Sequence, residues 1–227
     1  MYKRFLPYDV YERHKKIGSY INNGKSIIDI GGELEHLSQF CHPNKIVVAN
    51  LTSGDVIISE DKLPFENNSF DIACAIDVLE HIQKKERKSF IDNLVKVARE
   101  KVVLSFPIYS KSHDSDEKET IDWLKKKGES VKYLEEHVKY GLPTTNEIKN
   151  ITQNMDIEMT YSGNLKLNKI IFKIFMFDPK IKIIRKSIFF IKKLYYLISN
   201  DIVYLILGDK KLSNQVNRAY LTIKVNK

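Results

Sequence analysis

The segment Ser26-Ile-Ile-Asp-Ile-Gly-Gly32 determines the fold of this chain of 227 residues. Its β-branched run predicts a short buried strand, and the glycine pair predicts a tight turn where that strand ends. Four further apolar runs outward from it predict strands: 45–49, 56–58, 70–76 and 101–106. Residues 84–98 have one apolar stripe at helical spacing. Strands alternating with helical segments predict an α/β domain whose parallel sheet is covered on both faces.

The flanking segments extend this pattern. Residues 8–21 read as an amphipathic helix. Thr144 and Glu147 form a capping box, which predicts the start of another helix. Alternating apolar residues predict a sixth strand at 157–161 and a seventh at 219–225. We therefore expect one domain over the whole chain, without internal repeats.

The composition excludes several classes of protein. A hydrophobic content of 43% is too high for a disordered chain, and two cysteines, Cys41 and Cys74, are too few for a disulfide scaffold. The sequence has neither the apolar run of a secretory signal near its start nor an uncharged apolar run of about 18 residues that predicts a spanning helix. These features predict a cytoplasmic protein and leave open a place at the inner face of the membrane.

The net charge of +8 is confined to one block. Between Leu165 and Lys193 there are nine basic residues and one acid, and the other 28 basic and 28 acidic residues cancel. Eight aromatic residues lie within 165–207. This block suits contact with an anionic membrane surface, and it equally suits a lid that packs on the domain or on a second copy in a homodimer. Nucleic acid is disfavoured as a partner, because the aromatics are embedded in aliphatic runs.

Two motifs are more specific than the glycine turn. They are Leu63-Pro-Phe-Glu-Asn-Asn-Ser-Phe-Asp71 and Asp77-Val-Leu-Glu-His81. Together with Asp29-Ile-Gly-Gly32, they resemble the class I S-adenosylmethionine-dependent methyltransferases, in the branch whose small-molecule enzymes carry LPF…FD before D-x-LEH. The resemblance covers residues 26–108. It implies a Rossmann-like, doubly wound α/β fold with a seven-stranded sheet, in which only the seventh strand is antiparallel.

The flanks carry a narrower resemblance and define two insertions. Segments 8–14 and 134–143 resemble a subgroup of methyltransferases associated with surface-glycan or glycolipid assembly. In the implied fold, residues 108–141 form an acceptor-side insertion after strand five. Residues 165–207 form a basic, apolar helical insertion or lid between strands six and seven, next to the acceptor entrance.

The resemblance implies S-adenosylmethionine as the cofactor and assigns residues to it. Asp29, Gly31 and Gly32 match the motif at the cofactor's amino-acid moiety, and Asp77 matches the position beside its methionine portion. Asn50 stands where the family has an acid that holds both ribose hydroxyls. An amide still accepts one hydrogen bond and donates another, but without the strength of a charge-assisted bond.

The remaining cofactor residues depart further from the family pattern. Leu51 follows the ribose position, and Asp61 is a candidate for the adenine-contacting acid, with Ser59 and Glu60 as its neighbours. Glu35 stands where a further glycine is expected. The implied site is therefore complete at the methionine end and altered at the ribose end.

Candidate catalytic residues follow strand five, because a hydroxyl acceptor benefits from a general base. They are His113, Glu117 and His137. A solvated, mobile loop is the alternative for His113, and a structural role on a helix is the alternative for His137. His81 is expected to cap or pack. The histidine and cysteine spacings match no metal-ligand pattern, so no metal site is expected.

These observations predict an S-adenosylmethionine-dependent methyltransferase acting on a small or lipid-linked acceptor, such as the hydroxyl of a sugar in surface-glycan or glycolipid assembly. Two alternatives stay open. The first is a catalytically impaired methyltransferase-like module that docks to a membrane or to a protein partner, which Glu35 and Asn50 favour. The second is an RNA methyltransferase.

Overall fold

The computed structural model describes residues 6–34, 36–59, 63–179 and 181–226. Seven strands occur within these residues: β1 (Ser26–Ile30), β2 (Lys45–Asn50), β3 (Val56–Ile57), β4 (Phe70–Ile76), β5 (Ala98–Pro107), β6 (Asp156–Ser162) and β7 (Arg218–Lys224). Seven α-helices accompany them: α1 (Tyr8–Ser19), α2 (Arg87–Val97), α3 (Lys111–Lys127), α4 (Lys132–Tyr140), α5 (Thr145–Ile151), α6 (Leu165–Phe175) and α7 (Lys182–Leu207).

The strands form one sheet in the order β3-β2-β1-β4-β5-β7-β6. The first five strands pair in parallel, and β7 pairs antiparallel with both β5 and β6. The predicted sheet of six parallel strands and one antiparallel strand is confirmed. Strand order reverses between β1 and β4, and in such sheets the crevice at the carboxyl ends of these two strands is where ligands bind.

The sheet is buried on both faces, as its continuous apolar strands predict. Ile27 and Ile28 are neighbours in β1, yet both are fully buried, in two different core clusters. Successive side chains of a strand point to opposite faces, so each cluster covers one face. Cys41 and Cys74 are buried and free.

Two regions that the sequence separates from the sheet pack at its carboxyl edge. Residues 108–141 contain α3 and α4, which pack against each other around Leu124 and Leu134. Tyr8, Ile171 and Leu207 form a small buried cluster that joins α1, α6 and α7. The two insertions therefore surround the edge at which the glycine turn lies.

The insertion 165–207, which contains the basic block, forms α6 and α7. α6 contacts α3, while α7 runs along α1. Much of the apolar surface of α7 is exposed, with Ile183 at 80% and Leu205 at 85%. Throughout the described ranges, every helix falls short of the length or the apolar character that crossing a membrane requires.

Candidate active site

The glycine turn after β1 has no room for side chains. Gly31 has φ +76° and donates its N–H to the carbonyl of Ala49 at 2.7 Å. A Cβ on Gly31 would lie 2.5 Å from Cγ2 of Val78, and one on Gly32 would lie 2.1 Å from Oδ2 of Asp29. Such contacts are too short for real Cβ atoms. The turn therefore presents bare backbone at the edge of the sheet, as the sequence predicts.

Asp29 lies directly beneath this turn and is fully buried. Neither of its carboxylate oxygens has a hydrogen-bond partner. Burial raises the pKa of Asp29 to about 7. Its side chain contacts the underside of the turn, while Gly31 and Gly32 line the cavity on the other side. The structure therefore places Asp29 as a support of the turn.

A cavity of about 610 Å³ opens above the turn. It is lined by Gly31, Gly32 and Asp77 on one side and by His113, Glu117 and His137 on the other. α1 and α6 complete its walls, since Arg13 and Phe172 also line it. Residues predicted to bind the cofactor and residues predicted to act on the acceptor thus share one space.

Asp77 follows β4 with φ +55°, a left-handed conformation that is unusual for a residue with a side chain. Its Oδ2 accepts a hydrogen bond from Nη1 of Arg13 at 2.7 Å, and its Oδ1 accepts from Ser105 at 3.1 Å and from Arg218. Burial favours the neutral carboxyl, but Arg218 and Arg13 outweigh burial and hold the pKa of Asp77 below its usual range. The carboxylate is therefore ionised and clamped between two guanidinium groups.

The two arginines were not predicted from the sequence. Arg13 lies in the segment whose resemblance to a subgroup is noted above, and Arg218 begins β7. Both line the cavity, and the Nε of each is buried without a hydrogen-bond partner. Nothing in the local sequence pattern indicates that these residues meet Asp77, because the packing of α1 brings Arg13 there and the pairing of β7 brings Arg218.

His113 lies in the first turn of α3 and is only 7% exposed. The alternative of a solvated, mobile loop for His113 is wrong, because Ser110 caps this helix by accepting the N–H of His113 at 3.0 Å. Nδ1 of His113 lies 2.8 Å from the carbonyl oxygen of Ile108. A carbonyl only accepts, so Nδ1 carries the hydrogen and Nε2 keeps its lone pair in the neutral ring. Burial lowers the pKa of His113.

Glu117 joins His113 to His137. Its Oε1 lies 2.8 Å from Nδ1 of His137 and 3.9 Å from Nε2 of His113. All three side chains are buried, on neighbouring turns of α3 and on α4. The three predicted catalytic residues form one cluster, which faces the glycine turn across the cavity.

A third histidine, His81, adjoins this cluster. The ring centroids of His81 and His137 are 4.9 Å apart, and Nδ1 of His81 lies 2.8 Å from Oε2 of Glu136. Glu80 is also buried, and its Oε2 has no hydrogen-bond partner. Burial and the charge of Asp77 raise the pKa of Glu80, while burial lowers the pKa of His81. Glu80 and His81 thus line the cavity, where the sequence indicated only a turn.

The comparison by sequence agrees with this geometry. Residues 30–106, which include the glycine turn and Asp77, match the family model described as a methyltransferase domain. This stretch, about a third of the chain, is therefore similar to methyltransferase domains. No curated protein matches the chain by sequence. The branch and the glycan subgroup suggested by the motifs remain predictions.

Solved structures share the fold of this chain at low identity. A Thermotoga maritima protein, described as a possible histamine N-methyltransferase, is 8% identical with a TM-score of 0.55, and the match covers 98% of this chain and 92% of that one. YcgJ from Bacillus subtilis is 13% identical with a TM-score of 0.51, covering 94% and 100%. Phosphoethanolamine N-methyltransferase 2 of Haemonchus contortus, in complex with S-adenosyl-L-methionine, is 12% identical with a TM-score of 0.55, covering 96% of this chain and 52% of that one.

Fewer of the residues predicted for the ribose end of the cofactor lie at the cavity. Asn50 donates from Nδ2 to the carbonyl of Gly32 at 3.1 Å and accepts at Oδ1 from the N–H of Leu51 at 2.7 Å. Asn50 and Leu51 do not line the cavity. Asp61, like Glu35, lies outside the described residues. The roles assigned to Asn50, Leu51 and Asp61 therefore stay predictions.

Proposed function

We propose that this chain transfers the methyl group of S-adenosylmethionine to an acceptor bound in the cavity, a small or lipid-linked molecule such as a sugar with a free hydroxyl. One observation carries the proposal. The bare backbone of Gly31 and Gly32 and the partly buried Asp77 share a cavity with the cluster of His113, Glu117 and His137. A donor site and a group that can accept a proton lie within reach of one substrate.

The cavity suits the donor at its amino-acid end. The glycine turn presents bare backbone to the cavity, and Arg13 and Arg218 each have an Nε without a partner, which a carboxylate can satisfy. Asp77 supplies a negative charge for an ammonium group. When bound, S-adenosylmethionine supplies a methyl group already activated by a positively charged sulfonium, so the chain has mainly to align the two reactants.

His113 is the general base in this proposal. Its Nε2 keeps a lone pair, and burial holds its pKa below the usual value, so the ring is neutral at physiological pH. When Nε2 accepts a proton from the acceptor hydroxyl, the carboxylate of Glu117 at 3.9 Å stabilises the new positive charge. His137 fixes Glu117 through its Nδ1–H. A positioned base of this kind contributes about 10²- to 10⁴-fold in rate.

Calorimetric titration with S-adenosylhomocysteine tests the donor site. We expect binding in the micromolar range for the wild type and a loss of at least tenfold for Gly32→Ala. Gly24→Ala is the control for backbone strain alone, because Gly24 has φ +75° and a Cβ there meets nothing within 4 Å. Absence of binding at high micromolar ligand in the wild type would refute the proposal and favour the docking module.

A transfer screen tests the acceptor class. The wild type and a His113→Asn variant are incubated with methyl-labelled S-adenosylmethionine and with the lipid, glycan and RNA fractions of a cell extract. We expect label in the lipid or glycan fraction with the wild type only. Label confined to RNA would replace the proposal by the RNA alternative.

The basic block supports an acceptor that is met at a membrane. The sequence left open whether the block is a lid or a membrane contact, and its two helices suit these two roles separately. α6 covers the cavity, and Lys169 is anchored to Asp116 and Glu119 of α3 at 2.8 Å each. α7 instead exposes apolar side chains, including Phe190 at 70%. We therefore assign the lid to α6 and the membrane contact to α7.

A second cavity, lined by residues of both helices, adjoins the catalytic cavity. It is lined by five cationic side chains and by Phe175 and Pro7, both of which also line the catalytic cavity. The cations are Lys182, Arg185, Lys186, Lys192 and Lys193. An anionic, lipid-linked acceptor lying at a membrane surface could thus reach the catalytic cavity past Phe175. Each cation near an anionic surface contributes about 1 kcal/mol.

Co-sedimentation with vesicles tests this contact. We expect binding to anionic vesicles at low salt, little binding to neutral ones, and a loss with the triple change of Lys182, Arg185 and Lys186 to glutamine. The control changes Lys84, Lys85 and Lys96, three exposed lysines elsewhere, and alters the net charge equally. Binding that persists unchanged at high salt, or equal losses in both variants, would contradict the electrostatic contact.

A further inference from the structure

Three side chains converge on one wall of the catalytic cavity: Glu80, His81 and His137. One potential ligand atom from each lies within 4.8 Å of the other two. We propose that these residues bind a divalent transition-metal ion beside the acceptor. The proposal deepens the proposed function, because the ion would lie in the same cavity as the methyl donor.

The first support is a pair of buried atoms that lack partners. Oε2 of Glu80 and Nε2 of His137 are both inaccessible and accept no hydrogen bond from any described residue. Their side chains belong to residues that are 1% and 7% exposed. Leaving a buried acceptor unsatisfied costs about 1–3 kcal/mol, so most native structures avoid it. An ion between the two atoms would satisfy both.

The second support is the orientation of the two imidazole rings. Nδ1 of His81 is held by Glu136 and Nδ1 of His137 by Glu117, each at 2.8 Å. Carboxylates hold the rings of metal-binding histidines in this way, because they fix the tautomer that leaves the other nitrogen free to bind the ion. Both rings here therefore offer Nε2. A histidine that only packs in a core needs no such carboxylate, whereas His81 and His137 each have one.

The donor set indicates the class of ion. Two imidazole nitrogens and one carboxylate oxygen suit zinc, iron(II), manganese or cobalt, whereas magnesium and calcium prefer oxygen ligands throughout. Three protein ligands leave at least one coordination position open. Because the three ligand residues line the same cavity as Gly32 and His113, that position would lie in the cavity. An acceptor hydroxyl bound there would lose its proton more readily, because a metal ion lowers the pKa of an oxygen that it binds.

Metal binding is measurable without cofactor or acceptor. The full chain is stripped with a chelator and dialysed against zinc chloride or manganese chloride alone, and metal is then counted per chain. We expect one ion per chain, and nitrogen NMR of the wild type should shift the Nε2 signals of His81 and His137 only. Glu80→Gln should lower the affinity at least tenfold, while His42→Asn, an exposed histidine elsewhere, should not change it.

Three results would overturn the proposal: no stoichiometric uptake by the wild type, equal uptake by Glu80→Gln, or NMR shifts confined to other histidines. Because the wild-type measurements suffice, a variant that fails to fold does not leave the question open. The binding of S-adenosylhomocysteine is measured on the stripped protein. Metal uptake without S-adenosylhomocysteine binding refutes the methyltransferase proposal alone, and the reverse result refutes the metal site alone.

Discussion

Asp29→Asn should change how the stability of this chain depends on pH. Burial without a partner raises the pKa of Asp29 from 3.8 to about 7. The folded chain then holds a proton that the unfolded chain has already released, so the free energy of unfolding falls as the pH rises from about 4 to about 7. The difference of 3.2 pKa units, each of 1.36 kcal/mol, gives a full cost of about 4 kcal/mol. An asparagine has no charge and avoids this cost.

Urea unfolding at pH 5 and pH 8 measures the effect. Of the full cost, about 2.5 kcal/mol arises between these two pH values. We therefore expect the difference in the free energy of unfolding, Asp29→Asn minus wild type, to be about 2.5 kcal/mol larger at pH 8 than at pH 5. The variant thus gains stability relative to wild type as the pH rises. Any constant cost of burying the amide cancels in this difference. Asp114→Asn, at an exposed ion pair with Lys118, is the control and should change by less than about 0.5 kcal/mol. Equal differences at both pH values would refute the reasoning.

Three further predictions concern the cavity. Gly32→Ala should lower the free energy of unfolding by about 1–3 kcal/mol, because the added methyl group overpacks against the buried carboxylate of Asp29. Urea titration measures this change, and an unchanged midpoint would contradict it. The rate of methyl transfer by the wild type should stay constant as the pH falls from 8 to 6.5 and decline below that, because burial lowers the pKa of His113. Glu117→Gln should move this decline to still lower pH, since Glu117 raises the pKa of His113. Arg218→Met should cost about 3–5 kcal/mol by leaving Asp77 with one cationic partner, and a loss under 1 kcal/mol by calorimetry would argue against a tight pair.

The sequence predicts the donor half of the site well because that half is local. Asp29, Gly31 and Gly32 lie within four residues of one strand and its turn, and Asp29 itself leaves no room for a side chain on Gly32. Asp77 likewise follows directly from the end of a recognisable strand. Short-range motifs of this kind specify backbone geometry almost completely.

The acceptor half is less predictable because its contacts are distant in the chain. His81 and His137 come from different elements and show no metal-ligand spacing, yet their rings lie 4.9 Å apart. The polarity of residues around His113 suggested a solvated loop, but Ser110 starts a helix there and buries the ring. Local polarity could not reveal that α6 would cover this segment.

The position of β7 has a consequence for how the chain acquires its site during synthesis. β7 lies between β5 and β6, and within the described residues it is the sole neighbour of β6. When β6 leaves the ribosome it has no strand to pair with, and it waits until about fifty further residues, including all of α7, have followed. Arg218, which clamps Asp77 across 141 residues of sequence, arrives with the same strand. Closing the sheet and completing the charge balance at Asp77 are therefore a single late event, and in a shorter nascent chain Asp77 has only Arg13 as a cationic partner, at an open edge of the sheet.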